Sequence, residues 1–168
     1  MTGALRIAAL LVVAAALHVG VAPHLRLAGV SADVLLLVGV ATGMVAGQTR
    51  GAVMGFTGGL LADCFLTTPF GLSALAGAVA GSAVGACSAT VLRHGGWLPV
   101  VAATTASAGA VVVRALAGAV VGEPGLPGGR LLTVVGVVGI LNGALLPAAL
   151  RPVRWATAAR SRSRVVLG

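Results

Sequence analysis

An all-α integral membrane protein is what this sequence predicts: a bundle of six transmembrane helices, five being the alternative count, with both termini in the cytoplasm. Three observations carry it. Of the 168 residues, 58% are hydrophobic and 8% charged, and the mean hydropathy is +1.10, a balance no water-soluble domain of this size tolerates. The apolar residues fall into segments parted by glycine, proline and arginine, and each crossing needs roughly 20 residues of apolar helix. The eleven strongly basic side chains are all arginine and are distributed unevenly.

The first helix runs from about Leu5 to Ala22 and stops at Pro23, after which His24 to Asp33 reads as a mixed loop. Arg6 ahead of an apolar run resembles a signal peptide, but Pro23 follows the only small-residue cleavage position, so an uncleaved helix is expected. Asp33 suits the N-terminus of the second helix as a cap and as a partner for its dipole. That helix ends near Gln48, and the third spans about Gly51 to Leu66. Both are short, about 21 to 25 Å. A re-entrant hairpin would bury Arg50 at a cost of roughly 2.5 kcal/mol or more, so two crossings are favoured. Thr67 to Gly71 supplies a turn. The fourth helix covers about Leu72 to Leu92, the fifth Trp97 to Val121, and the sixth about Leu131 to Leu150. Residues 1–150 thus form a polytopic domain and 151–168 a basic cytoplasmic tail.

Six crossings put Arg6, Arg50, Arg93 and five tail arginines inside, Arg26 and Arg130 outside, and Arg114 within the membrane. Eight of the eleven are then cytoplasmic, as the positive-inside rule requires. The net charge of +8 is mostly a tail property rather than a nucleic-acid-binding surface. Arg151, Arg154, Arg160, Arg162 and Arg164 suit anionic lipid, with Trp155 at the headgroups. The alternative is a solvated tail that merely sets topology.

Glycine recurs every fourth residue at Gly39, Gly43, Gly47, Gly51, Gly55 and Gly59, and again at Gly77, Gly81 and Gly85. Such spacing lets helix backbones approach closely where lipid removes the usual hydrophobic drive. Gly55, Gly59, Gly77 and Gly81 are therefore expected at helix contacts, within the chain or against a partner. Asn142 is expected to hydrogen-bond between helices. Asp63 lies roughly 4 to 5 Å from the outer end of the third helix and Arg114 roughly 10 Å from that of the fifth. The two are expected to pair in the outer leaflet, as a structural ion pair or as a polar site for a ligand or proton. No Ser/His/Asp, His-Glu-x-x-His, Walker or dinucleotide pattern is present, and two cysteines in apolar segments suggest neither zinc nor a disulfide framework. No enzyme and no cofactor is expected.

The residues Asp33-Val-Leu-Leu-Leu-Val, Gly47-Gln-Thr-Arg-Gly51, Gly55-Phe56-x-x-Gly59-Leu60-x-x-Asp63 and Pro69-x-Gly71-Leu72-x-Ala74-Leu75 resemble the MreD family of rod-shape-determining membrane proteins. The likeness covers about a third of the chain. It departs at Ala32, where that family often carries proline, in its scarce aromatics, 3% of residues, and in the arginine-rich tail. The resemblance implies five or six helices in the bacterial inner membrane and a non-enzymatic scaffold for lateral wall synthesis. It also implies assembly with the bitopic protein MreC and, through it, with MreB, RodA and a class B penicillin-binding protein. Two other readings stay open. One is the substrate-capture subunit of an energy-coupling-factor vitamin importer, whose short helices also pack on small residues; the other is a small proton-coupled carrier working through Asp63.

Overall fold

The structure, a computed structural model, describes residues 3–21, 24, 26–65, 70–89, 97–122 and 128–165. Among these residues the chain forms six helices: α1 (Gly3–Gly20), α2 (Val34–Ala46), α3 (Gln48–Asp63), α4 (Leu72–Ala86), α5 (Leu98–Val121) and α6 (Gly128–Val165). Three are long and apolar enough to cross a membrane, namely α1, α5 and the stretch Gly129–Ala158 of α6. Their outward surfaces stay apolar, with Val12, Leu116, Val120, Leu132 and Ile140 exposed, as hydrocarbon rather than water demands. The chain is a helical membrane protein.

At its centre is α2. Ten consecutive residues, Leu35 to Met44, are buried, because α1, α3, α4, α5 and α6 all pack around it. A helix apolar on every side fits only such a position. With 13 residues it is about 20 Å long, shorter than a hydrocarbon core of about 30 Å.

The chain then reverses through one residue. Gly47 joins α2 to α3 with φ +88 and ψ 177, a conformation closed to side-chain-bearing residues. The third helix therefore starts at Gln48 rather than Gly51, and Arg50 lies in its first turn. The glycine ladder consequently splits between two antiparallel helices. A Cβ on Gly39 would stand 2.6 Å from the Cα of Gly55, and one on Gly51 2.6 Å from the Cα of Gly43. The same glycine-bearing side of α3 also meets α4: Gly51 faces the Gly81 carbonyl, Gly55 that of Gly77, and Gly59 that of Ser73. Three helices thus touch backbone to backbone along one seam, and all four glycines assigned to packing lie on it.

The fourth helix ends at Ala86, with Cys87 as its cap, rather than at Leu92, and two further segments differ from the sequence-based expectation. The loop after α1 holds a small antiparallel hairpin, β1 (Arg26–Leu27) and β2 (Val30–Ser31), paired Arg26 to Ser31 and Leu27 to Val30. Ala28 and Gly29 turn it with φ values of +52 and +77, the left-handed pair of a two-residue hairpin loop. The other difference is α6, which runs through Pro147, passes Leu150 and continues through Pro152 to Val165. Burial explains the extension: Val153 and Ala156 are fully enclosed where α6 packs on α1, which offsets the hydrogen bonds the prolines cannot donate. The Arg6 guanidinium stacks over the Trp155 ring, 4.9 Å from its centre, and donates to the Trp155 carbonyl at 3.5 Å. The start of α1 and the residues after 150 therefore share one end of the bundle.

Candidate functional site

At the opposite end lie the end of α1, the hairpin, the α3–α4 junction, the end of α5 and the start of α6. Asp33 organises the first part. In extended conformation before α2, its Oδ1 accepts from the Leu36 N–H at 3.0 Å. The Asn142 side chain, fully buried, bonds to both backbone groups of Asp33. Its Oδ1 accepts from the Asp33 N–H at 3.1 Å, and its Nδ2 donates to the Asp33 carbonyl at 3.2 Å and to Ser107 Oγ at 3.1 Å. Asn142 therefore links α2, α5 and α6, as a cross-helix role requires. It stands about 21 Å along α6 from the helix start. The N-terminus of α2 is thus sunk into the bundle, and the hairpin dips in to reach it. His18 Nδ1 lies 3.7 Å from Asp33 Oδ1, too far for a hydrogen bond.

Asp63, also fully buried, is the last residue of α3. Its carboxylate accepts from the N–H groups of Gly71 at 2.8 Å, Ser73 at 3.2 Å and Ala74 at 3.4 Å. It acts as an N-cap delivered from the preceding helix, neutralising donors that the first turn of α4 cannot satisfy itself. Gly71, left-handed at φ +101, turns the chain onto it. Three backbone donors thus hold the charge expected to meet Arg114. That arginine lines the adjoining pocket.

This pocket has a volume of about 580 Å³, within the range of small-molecule sites. Its polar lining is His18, Ser31, Asp33, Ser73, Arg114 and Arg130. Gly59, Ala62, Ala76 and Gly77 from the seam and Leu36, Val111, Leu131, Val134 and Val138 supply the apolar remainder. The Ser73 hydroxyl is buried and has no hydrogen-bond partner. Among the described residues no three His, Cys, Asp or Glu side chains converge on a metal position.

The other residues singled out from the sequence lie away from the pocket. Phe56 and Leu60 are half-exposed on the outer face of α3, and Pro69 falls outside the described residues. Arg151, Arg154 and Trp155 are exposed at the other end, and Arg160, Arg162 and Arg164 continue the same helix. Sequence reasoning did not assign Ser73, Ser107 or Arg130 to a site. The available signal was helical depth: Ser107 and Asn142 each stand about 21 Å from the α5–α6 connection, so an antiparallel pair brings them level. No family model, curated protein or solved structure matches this chain.

Proposed function

We propose that this protein is a non-enzymatic scaffold of the bacterial cytoplasmic membrane, of the MreD type, serving wall elongation and cell shape. It crosses the bilayer six times with both termini in the cytoplasm, and its partner is an MreC-like bitopic protein, which links it to MreB, RodA and a class B penicillin-binding protein. The observation that carries this reading is the division of labour on α3. Gly55 and Gly59 lock one side of the helix to its neighbours, while Val53, Phe56 and Leu60 stand exposed on the other. A rigid apolar ridge at i, i+3 and i+7 suits a single partner helix. Asp33 and Asp63, the acids of the resemblance, serve as helix caps, which accords with a structural rather than a chemical role. The Arg6–Trp155 contact supports termini on one side.

Co-purification of the full chain with an MreC-type protein from the same genome tests the role. Phe56→Ala with Leu60→Ala should abolish co-purification while leaving the folded yield intact, and depletion should round the cells. Retained partner binding in the double variant, or normal shape on depletion, would remove the scaffold reading.

The outer pocket favours a second reading, the substrate-capture subunit of a vitamin importer or a small carrier. Uptake of a small molecule that is lost on depletion, with transporter ATPase genes adjacent, would select it.

A further inference from the structure

We infer that the end of the bundle carrying Arg6 and Trp155 holds a site for an anionic phospholipid. Its phosphate lies against Arg6, Arg151 and Arg154, and an acyl chain runs back along α6 over Ala148, Ala144 and Ile140. Four observations converge on a lipid.

The first is clustered charge. The Arg6 guanidinium, from α1, stacks on the Trp155 ring at 4.9 Å from its centre and reaches the Trp155 carbonyl at 3.5 Å. Arg151, Arg154 and Trp155 are all exposed, and their spacing keeps them within an arc of about 100° on α6. Two helices therefore bring three guanidinium groups to one patch. Among the described residues the carboxylates, Asp33 and Asp63, both lie at the opposite end, where they cap helices. The patch has no acid of its own among those residues, and guanidinium groups present planar donor pairs matched to phosphate oxygens.

The second is depth. Arg151 is the first charge after the apolar run that begins at Leu131, about 30 Å further along the helix. That distance is the thickness of a hydrocarbon core, so the patch stands at headgroup level, where tryptophan is enriched.

The third is continuity. Ala148, Ala144 and Ile140 are exposed on the same face of α6 as Arg151, at spacings of three and four residues that stack them beneath it. From Arg151 to Ile140 is about 16 Å, close to the depth of one leaflet. An apolar lane of that length leading into a basic patch fits a lipid, whereas an acidic soluble protein would engage the patch and leave the lane unused. The fourth is rigidity. Val153 and Ala156, on the opposite side of the same turns, are fully enclosed where α6 packs on α1. The patch is thus seated on the bundle rather than carried on a free tail, and little order is lost when it binds.

The site uses α1 and α6 and is independent of the scaffold role, which rests on Phe56 and Leu60 of α3. The test uses the full chain in a neutral detergent, with native mass spectrometry and thermal unfolding as readouts. The probes are phosphatidylglycerol and phosphatidylcholine with identical acyl chains, together with glycerol 1-phosphate as the free headgroup. Phosphatidylglycerol should be retained about tenfold better or more, and the preference should shrink as salt is raised. Arg6→Gln, Arg151→Gln and Arg154→Gln should each weaken its retention about fivefold, the worth of one arginine at an anionic surface. The triple variant should hold the two lipids equally. Glycerol 1-phosphate in large excess should not compete, since it lacks the chain that occupies the lane, and Arg26→Gln in the hairpin should change nothing. Equal retention of the two lipids by the unaltered chain, or a preference that survives in the triple variant, would overturn the site. Displacement by glycerol 1-phosphate would assign the patch to a soluble anion, and binding of a polyglutamate peptide without any lipid preference would assign it to an acidic protein; either outcome also removes the lipid. Arg151 and Arg154 are exposed, so those variants fold even if Arg6→Gln does not.

Discussion

Asn142 holds Asp33 by both backbone groups, accepting from its N–H at 3.1 Å and donating to its carbonyl at 3.2 Å. A side-chain amide has the same donor and acceptor pattern as a peptide, so it substitutes for the strand that the isolated residue before α2 lacks. The third bond, to Ser107, fixes the amide orientation and brings α5 into the junction.

Asn142→Leu should be among the most damaging single changes in the bundle. It strands the Asp33 N–H and the Ser107 hydroxyl away from water, each costing about 1–3 kcal/mol. Thermal unfolding in detergent should fall by several degrees. Ser107→Ala leaves the two Asp33 bonds in place and should cost less, about 0.6–1.7 kcal/mol.

Alanine replacing Gly55, Gly59 or Gly81 should sharply reduce the folded yield. The added Cβ meets backbone atoms of the facing helix, which cannot rotate away, so helices must separate at a cost of at least about 1–3 kcal/mol. Gly109 and Gly136 have nothing within 4 Å of the same position. Alanine there should be neutral or stabilising by about 0.5–1 kcal/mol, since it restricts the unfolded chain in a helical stretch. Equal outcomes in the two groups would remove the seam.

Asp63→Ala should unravel the first turn of α4 and cost about 2 kcal/mol or more, because a buried, charge-assisted cap is lost together with three backbone bonds. Asp63→Asn keeps an acceptor oxygen and should lose roughly half as much. Hydrogen exchange at Ser73 and Ala74 is the local readout, rising most in the alanine variant. A cap-independent role would give equal loss in both variants with unchanged exchange there.

A reporter inserted at Gly29 should read external and one fused after Gly168 cytoplasmic, because Arg6 and Trp155 join at the end of the bundle opposite the hairpin. Arg6→Ala removes the stacking and should cost about 0.5–1 kcal/mol at this partly buried site. An internal signal at Gly29 would break the six-crossing topology.

Helix number, order and approximate limits were legible in the sequence because apolar runs and glycine or proline breaks report directly on lipid exposure. The four-residue glycine spacing likewise announced close packing, since few arrangements other than backbone contact reward it. What the sequence concealed was pairing across the chain. Asp63 was matched by depth to Arg114 as the nearest opposite charge, and its hold on the first turn of α4, through the N–H groups of Gly71, Ser73 and Ala74, has no side-chain signature. Most of the pocket lining escaped for a related reason. Ser73, Arg114 and Arg130 come from three helices, which no local pattern brings together. The end of α6 was placed at Leu150, ahead of the arginine-rich stretch, although Val153 and Ala156 bury themselves beyond it.

The seam along α2, α3 and α4 also limits how this protein can change over generations. In a packed core of side chains, a residue that grows is accommodated when its neighbour shrinks, and the two positions drift together. Here the neighbour of Gly55 is the main chain at Gly39 and Gly77, which no codon can make smaller. Selection for revertants of a Gly55→Ala strain should therefore return glycine itself, or substitutions elsewhere that stabilise the whole bundle. A compensating change on the opposite helix is the one class that should be missing.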